Sequence, residues 1–96
     1  MIISFKDRAT EDIFNGDNTK AARSIPQSIW SVAFRKLDMI NAAHDICDLR
    51  VPQGNMLERL KGSLSDHYSI RINDQYRVVF SWSQGNARDV LITDYH

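Results

Sequence analysis

The stretch HYSIRINDQYRVVFSW, residues 67–82, decides the fold. Tyr68, Ile70 and Ile72 alternate with Ser69 and Arg71. Tyr76, Val78, Phe80 and Trp82 then alternate with Arg77, Val79 and Ser81. A period of two places successive side chains on opposite faces of a strand, so each segment reads as a strand with one buried face. Asn73-Asp74-Gln75 is short and polar, which predicts a tight hairpin between them. SQGN, residues 83–86, makes the next turn, and RDVLITDYH, residues 88–96, the last strand.

Upstream, the Pro and Gly of RVPQGN mark a loop, NMLERL reads as a short strand, and KGSLSD as a turn. The first half has a different period. MIISF is apolar and β-branched, a first strand. ATEDIF predicts a short helix with Thr10 as its cap and Gly16 just past its end. Ser24 and Gln27 have capping-box spacing around Pro26. Trp30, Ala33, Phe34, Leu37, Ile40 and His44 then share one helical stripe, with Arg35, Lys36 and Asp38 facing away. That helix is expected to run to about Ala43, followed by a turn or short helix over HDICDL. Helices followed by an antiparallel run of strands define an α+β domain, with the helices packed on one face of a mainly antiparallel sheet. The expected organisation is one domain, residues 1–96.

Composition narrows the function. Hydrophobic residues make up 43% and charged residues 25%, which is ordinary for a packed domain. The apolar runs Val78–Phe80 and Val90–Ile92 are too short to span a bilayer, and MIISFKD has no basic leader, so no membrane segment or signal peptide is expected. Cys47 is the single cysteine; it is expected to be a small buried hydrophobe, and a cytoplasmic location follows from the lack of any internal disulfide. Twelve basic residues balance twelve acidic ones. Affinity for a nucleic-acid backbone comes from Lys and Arg neutralising phosphates, so this chain is not built to grip free nucleic acid through its own field.

The candidate chemistry lies in the strands. Arg71 and Arg77 interrupt apolar segments, and a half-buried arginine there needs either an anionic partner, such as Asp74, Asp94 or Glu58, or a ligand. Adjacent antiparallel strands would gather Glu58, Lys61, Arg77 and Asp94-Tyr95-His96 into one neighbourhood. That set holds cations, an acid and a base, which suits in-line attack on a phosphodiester. His44, His67 and His96 form no recognised metal pattern, no phosphate-cradling glycine loop is present, and no cofactor is expected.

VPQGNMLERLKG, YSIRINDQYRVVFSW and the closing DYH resemble the HigB-type (host inhibition of growth) toxins of the RelE superfamily, closely over Asp48–His96. The resemblance implies a RelE-like fold and a toxin of a type II toxin-antitoxin system, an endoribonuclease that cuts mRNA in the A site of the 70S ribosome without a metal. It also implies a cognate HigA-type helix-turn-helix antitoxin, with operator DNA bound only through that antitoxin. By position, Lys61 and Arg77 would contact the scissile phosphate, while Asp94, Tyr95 and His96 would orient the nucleotide and move protons; Arg71 and Tyr95 would bind substrate. Some relatives carry His where this chain has Glu58. His titrates near ~6.5 and Glu near ~4.3, so His96 suits proton transfer at neutral pH, with Glu58 as its partner or an alternative base. A non-catalytic module on the same fold, repressing its operon with the antitoxin or blocking the ribosome without cutting, is the alternative reading.

Overall fold

The structure is a computed structural model, and it describes residues 1–61 and 66–94. Two helices, α1 (Arg8–Asn15) and α2 (Trp30–Ala42), precede four strands: β1 (Glu58–Arg59), β2 (His67–Arg71), β3 (Tyr76–Ser83) and β4 (Asn86–Asp94). The strands form one antiparallel sheet in sequence order, β1-β2-β3-β4. The expected α+β architecture is present.

Local chemistry explains each boundary. Asp7, not Thr10, caps α1: its carboxylate accepts the Thr10 N–H at 2.9 Å. Thr10 instead lies wholly buried inside the helix, where its Oγ1 accepts the Ile92 N–H of β4 at 2.9 Å. Both residues offer a side-chain oxygen, and only the tertiary structure shows that β4 needs one of them. Gly16 closes the helix with φ 78°, the left-handed conformation in which glycine has no Cβ penalty.

Ser24 is not a capping-box residue. It ends a short 3-10 turn, Ala22–Ser24, with its Oγ donating to Ala21 O at 2.7 Å. A second 3-10 turn, Gln27–Ile29, leads into α2, which has no side-chain N-cap. Ala33, Leu37 and Ile40 of the expected stripe are fully buried, but Phe34 is 44% exposed. Lys36, expected to face away, is buried and donates through Nζ to Asn55 Oδ1. Burial, with smaller contributions from Arg35 and Arg71, pushes the Lys36 pKa down. HDICDL forms a 3-10 helix, Ile46–Arg50, with Asp45 and Asp48 as a reciprocal cap. It buries Leu49 and leaves Cys47 exposed, contrary to the expectation for that cysteine.

MIISF is a strand only in part. It makes two isolated parallel bridges along β4, Ile2 with Ala87 and Phe5 with Val90. The hairpin between β2 and β3 is set by Asn73, whose Oδ1 accepts the N–H groups of Gln75 at 2.9 Å and Tyr76 at 2.7 Å. Between β3 and β4, Gln84 and Gly85 have φ 53° and 76°, the paired left-handed residues of a hairpin turn that matches strand twist.

One face of the sheet carries the core. Ile70, Val78, Phe80, Ala87 and Val90 are fully buried, packed in one cluster with Ala33, Leu37 and Ile40 of α2 and Ile13 of α1. Phe80 stacks on Tyr68 and meets Trp82 edge-on, with centroids 6.3 Å apart in both pairs. In β4 the buried residues are Ala87, Val90 and Ile92, so the first interval is three residues instead of two. The register shift between Val79 and Ser81 marks the bulge responsible, and Asp89 in it has φ 53°.

Candidate functional site on the open face of the sheet

The face away from the core is organised by register. Residues directly opposite in neighbouring strands share a face, so Glu58, Ser69, Val79 and Leu91 form one row across all four strands. Arg71, Arg77 and Thr93 form the next row. The structure thus brings Glu58, Arg71 and Arg77, three of the residues expected from sequence, to adjacent rows of a single face.

The arginines are held differently. Arg71 Nη2 donates to Asp74 Oδ1 in the hairpin, one of the anionic partners that the sequence allowed. Asp74 is almost fully exposed, and an exposed pair of this kind contributes little to stability. Arg77 Nη1 donates to the Asn73 carbonyl and, at 3.2 Å, to the Tyr76 carbonyl. Carbonyl acceptors fix the plane of a guanidinium through its N–H donors. The open face therefore carries two guanidinium groups at directly opposed positions, an arrangement that like charges disfavour.

Lys61 lies just beyond β1 and is exposed; the Leu60 N–H before it still donates to His67 O at 2.9 Å, extending the pairing with β2. Asp94 stands opposite Tyr76, one step past the Arg77–Thr93 row, so strand alternation gives it the other face at the end of the sheet. There it accepts a hydrogen bond from Gln75 Nε2 at 2.9 Å. Tyr95 and His96 lie outside the described residues.

A cleft of about 220 Å³ opens on the same face. Leu60, Val79 and Leu91 supply apolar walls, and Lys6, His67, Asp89 and Thr93 supply polar groups. His67 is the polar cleft residue that sequence reasoning left without a role. Its Nδ1 lies 2.8 Å from the Asp66 carboxylate, and this contact, above all, holds the Asp66 carboxyl below its ordinary range. The adjacent Asp-His pair before a strand was a visible signal. Lys6 and Asp89 gave none, since they reach the cleft from opposite ends of the chain.

Among the described residues, no group of three His, Cys, Asp or Glu side chains is arranged to hold a metal. No helix there is long and apolar enough to cross a membrane.

Helices backing a four-stranded antiparallel sheet form an α+β architecture that solved structures share. The chain is similar to the YoeB dimer of Staphylococcus aureus, with TM-score 0.59 and 24% identity over 99% of this chain and 94% of that one. It is also similar to the Staphylococcus aureus YoeB–YefM complex, with TM-score 0.61 and 16% identity over 100% of this chain and 98% of that one. At these identities the likeness is one of fold. The family model for the RelE-like toxin of type II toxin-antitoxin system HigB matches residues 3–96, and the chain belongs to that family. Toxin HigB-1 of Vibrio cholerae serotype O1 is 45% identical over 92 residues, covering 96% of this chain and 95% of that protein. An uncharacterised protein of Haemophilus influenzae is 40% identical over 68 residues, covering 71% and 67% respectively.

Proposed function

We propose that this type II toxin is an endoribonuclease that cuts mRNA in the ribosomal A site. The observation that carries the reading is the Arg71–Arg77 pair: two guanidinium groups at opposed positions on one sheet face suit the oxygens of a phosphodiester. Arg77, pinned by turn carbonyls, is a preorganised donor for charge that grows on the phosphate in the transition state.

The 2′-hydroxyl oxygen attacks the adjacent phosphorus as its proton passes to a base. The P–O5′ bond breaks, the leaving oxygen takes a proton, and the products carry a 2′,3′-cyclic phosphate and a 5′-hydroxyl. Lys61 and Arg77 stabilise the phosphorane charge, His96 moves protons with Glu58 as partner or alternative base, and Tyr95 stacks on a base. Arg71 orients the nucleotide. No metal is required, because the side chains supply both positive charge and proton transfer. A formal charge of zero fits an enzyme whose RNA is delivered by the ribosome instead of being captured from solution.

The same reading gives the toxin an antitoxin partner of the HigA helix-turn-helix type, through which alone it would meet operator DNA, and places it in the cytoplasm. The test is to incubate the purified protein with naked transcript and with a programmed ribosome complex, then map RNA 5′ ends. New ends inside codons are expected on ribosomes only, and they should persist with EDTA while the ribosomes stay intact. Comparable cutting of naked transcript would refute ribosome dependence. Growth arrest without new ends would establish the non-catalytic alternative.

A further inference from the structure

The residues assigned to phosphate chemistry leave the cleft beside them unused, and three independent features converge on it. The β4 bulge holds Asp89 at φ 53°, with its N–H donated to Ser4 Oγ at 3.0 Å. Bulges re-aim side chains, and this one places the Asp89 carboxylate in the cleft. The N-terminal segment runs along the other side of β4, with the Lys6 N–H bonded to Val90 O at 2.9 Å, and brings the Lys6 ammonium to the same space. Asp66 holds His67 Nδ1, which fixes the imidazole and leaves Nε2 as its second polar atom. Among the described residues the Lys6 and Asp89 side chains have no hydrogen bond or ion pair, although both line the cleft.

Charge then selects the occupant. A phosphate would meet the Asp89 carboxylate, and a cation would meet the Lys6 ammonium. The apolar walls formed by Leu60, Val79 and Leu91 suit the faces of a flat ring, and about 220 Å³ is below the size of a drug-like site but adequate for one ring system. An uncharged planar group with donors and acceptors along its edge satisfies every element. Guanine presents N1–H and N2–H₂ to a carboxylate, and O6 and N7 to an ammonium.

We propose that this cleft takes one unstacked guanine base of single-stranded RNA, with Asp89 accepting from its Watson–Crick donors, Lys6 donating to its acceptor edge and the His67 ring lining the space beside it. The choice of RNA rests on the endoribonuclease reading, whereas the binding itself is measurable without ribosomes. Titrate the full ¹⁵N-labelled chain with the 5′-monophosphates of guanosine, adenosine, cytidine and uridine, which share ribose and phosphate and differ only in the base. Guanosine monophosphate should shift the amides of Leu60, His67, Val79 and Leu91 at concentrations where the other three do not. Asp89→Asn should weaken that binding about 10-fold, the effect of one lost base-edge contact, and asparagine tolerates the left-handed backbone, so the bulge is retained. Equal shifts from all four nucleotides, or none from any, would overturn the proposal. A chain that selects guanosine monophosphate but leaves ribosomal mRNA intact would overturn the nuclease reading and keep the cleft; cleavage without base-selective binding would do the reverse.

Discussion

The two faces of the sheet are made by alternate residues of the same strands, yet they obey different rules. On one, Ile70, Val78, Phe80 and Val90 are fully buried against the helices. On the other, Glu58, Arg71 and Arg77 occupy matched positions around Val79, Leu91 and Thr93. The helix-side face needs volume and apolar surface. The open face holds two arginines at opposed positions, an arrangement that a core would not accommodate. Parity along a strand therefore separates residues that pack against the helices from residues that face away from them.

The sharpest way to break this separation is to exchange the expected effects. Phe80→Ala should destabilise the fold by about 3–5 kcal/mol, as deletion of a fully buried aromatic does, measured by urea unfolding. Arg77→Ala, one residue position over in parity, should lower ribosomal cleavage about 100- to 1,000-fold while costing no more than about 1 kcal/mol in the same unfolding assay. If Arg77→Ala unfolds the protein, the arginine belongs with the structural face. Thr10→Val conserves shape but removes the acceptor of the buried Ile92 N–H, so a loss of about 1–3 kcal/mol is expected, with cleavage by the folded fraction retained.

The smallest effect concerns pH. The Thr19 hydroxyl, then Arg8, hold the Asp12 carboxyl below its ordinary range. The unfolded chain thus binds that proton more readily than the folded one. The stabilisation is complete above about pH 4 and is lost as pH falls through the folded value. Urea midpoints between neutral pH and about pH 2 should decline for the parent chain and decline less for Asp12→Asn.

The fold was legible where side-chain period and burial agree. Residues 67–82 alternate cleanly because one face is apolar, and Ala33, Leu37 and Ile40 lie at helical spacing because they meet that face. Errors arose where a residue serves two local rules. Thr10 could cap a helix or bond a distant strand, and Lys36 reads as solvated until Asn55 supplies an acceptor inside. Cys47 was misplaced because a 3-10 turn buries every third residue, here Leu49, with a different phase from the helix before it. Arg71 and Arg77 were visible in the candidate site because charge in an apolar strand is a local anomaly. The cleft was not, because Lys6 joins it through pairing with β4 and Asp89 through a bulge, and neither feature has a local signature.

The contact between Thr10 and Ile92 spans 82 positions of sequence, and β4 is hydrogen-bonded both to β3 and to the N-terminal segment. Contacts this distant in sequence form late, since the chain between them must first be closed. A chain stalled before residue 86 should be digested by protease as readily as an unfolded one, and become resistant once β4 is supplied. Until β4 is supplied, the chain has neither its finished core nor Leu91 and Thr93 of the open face.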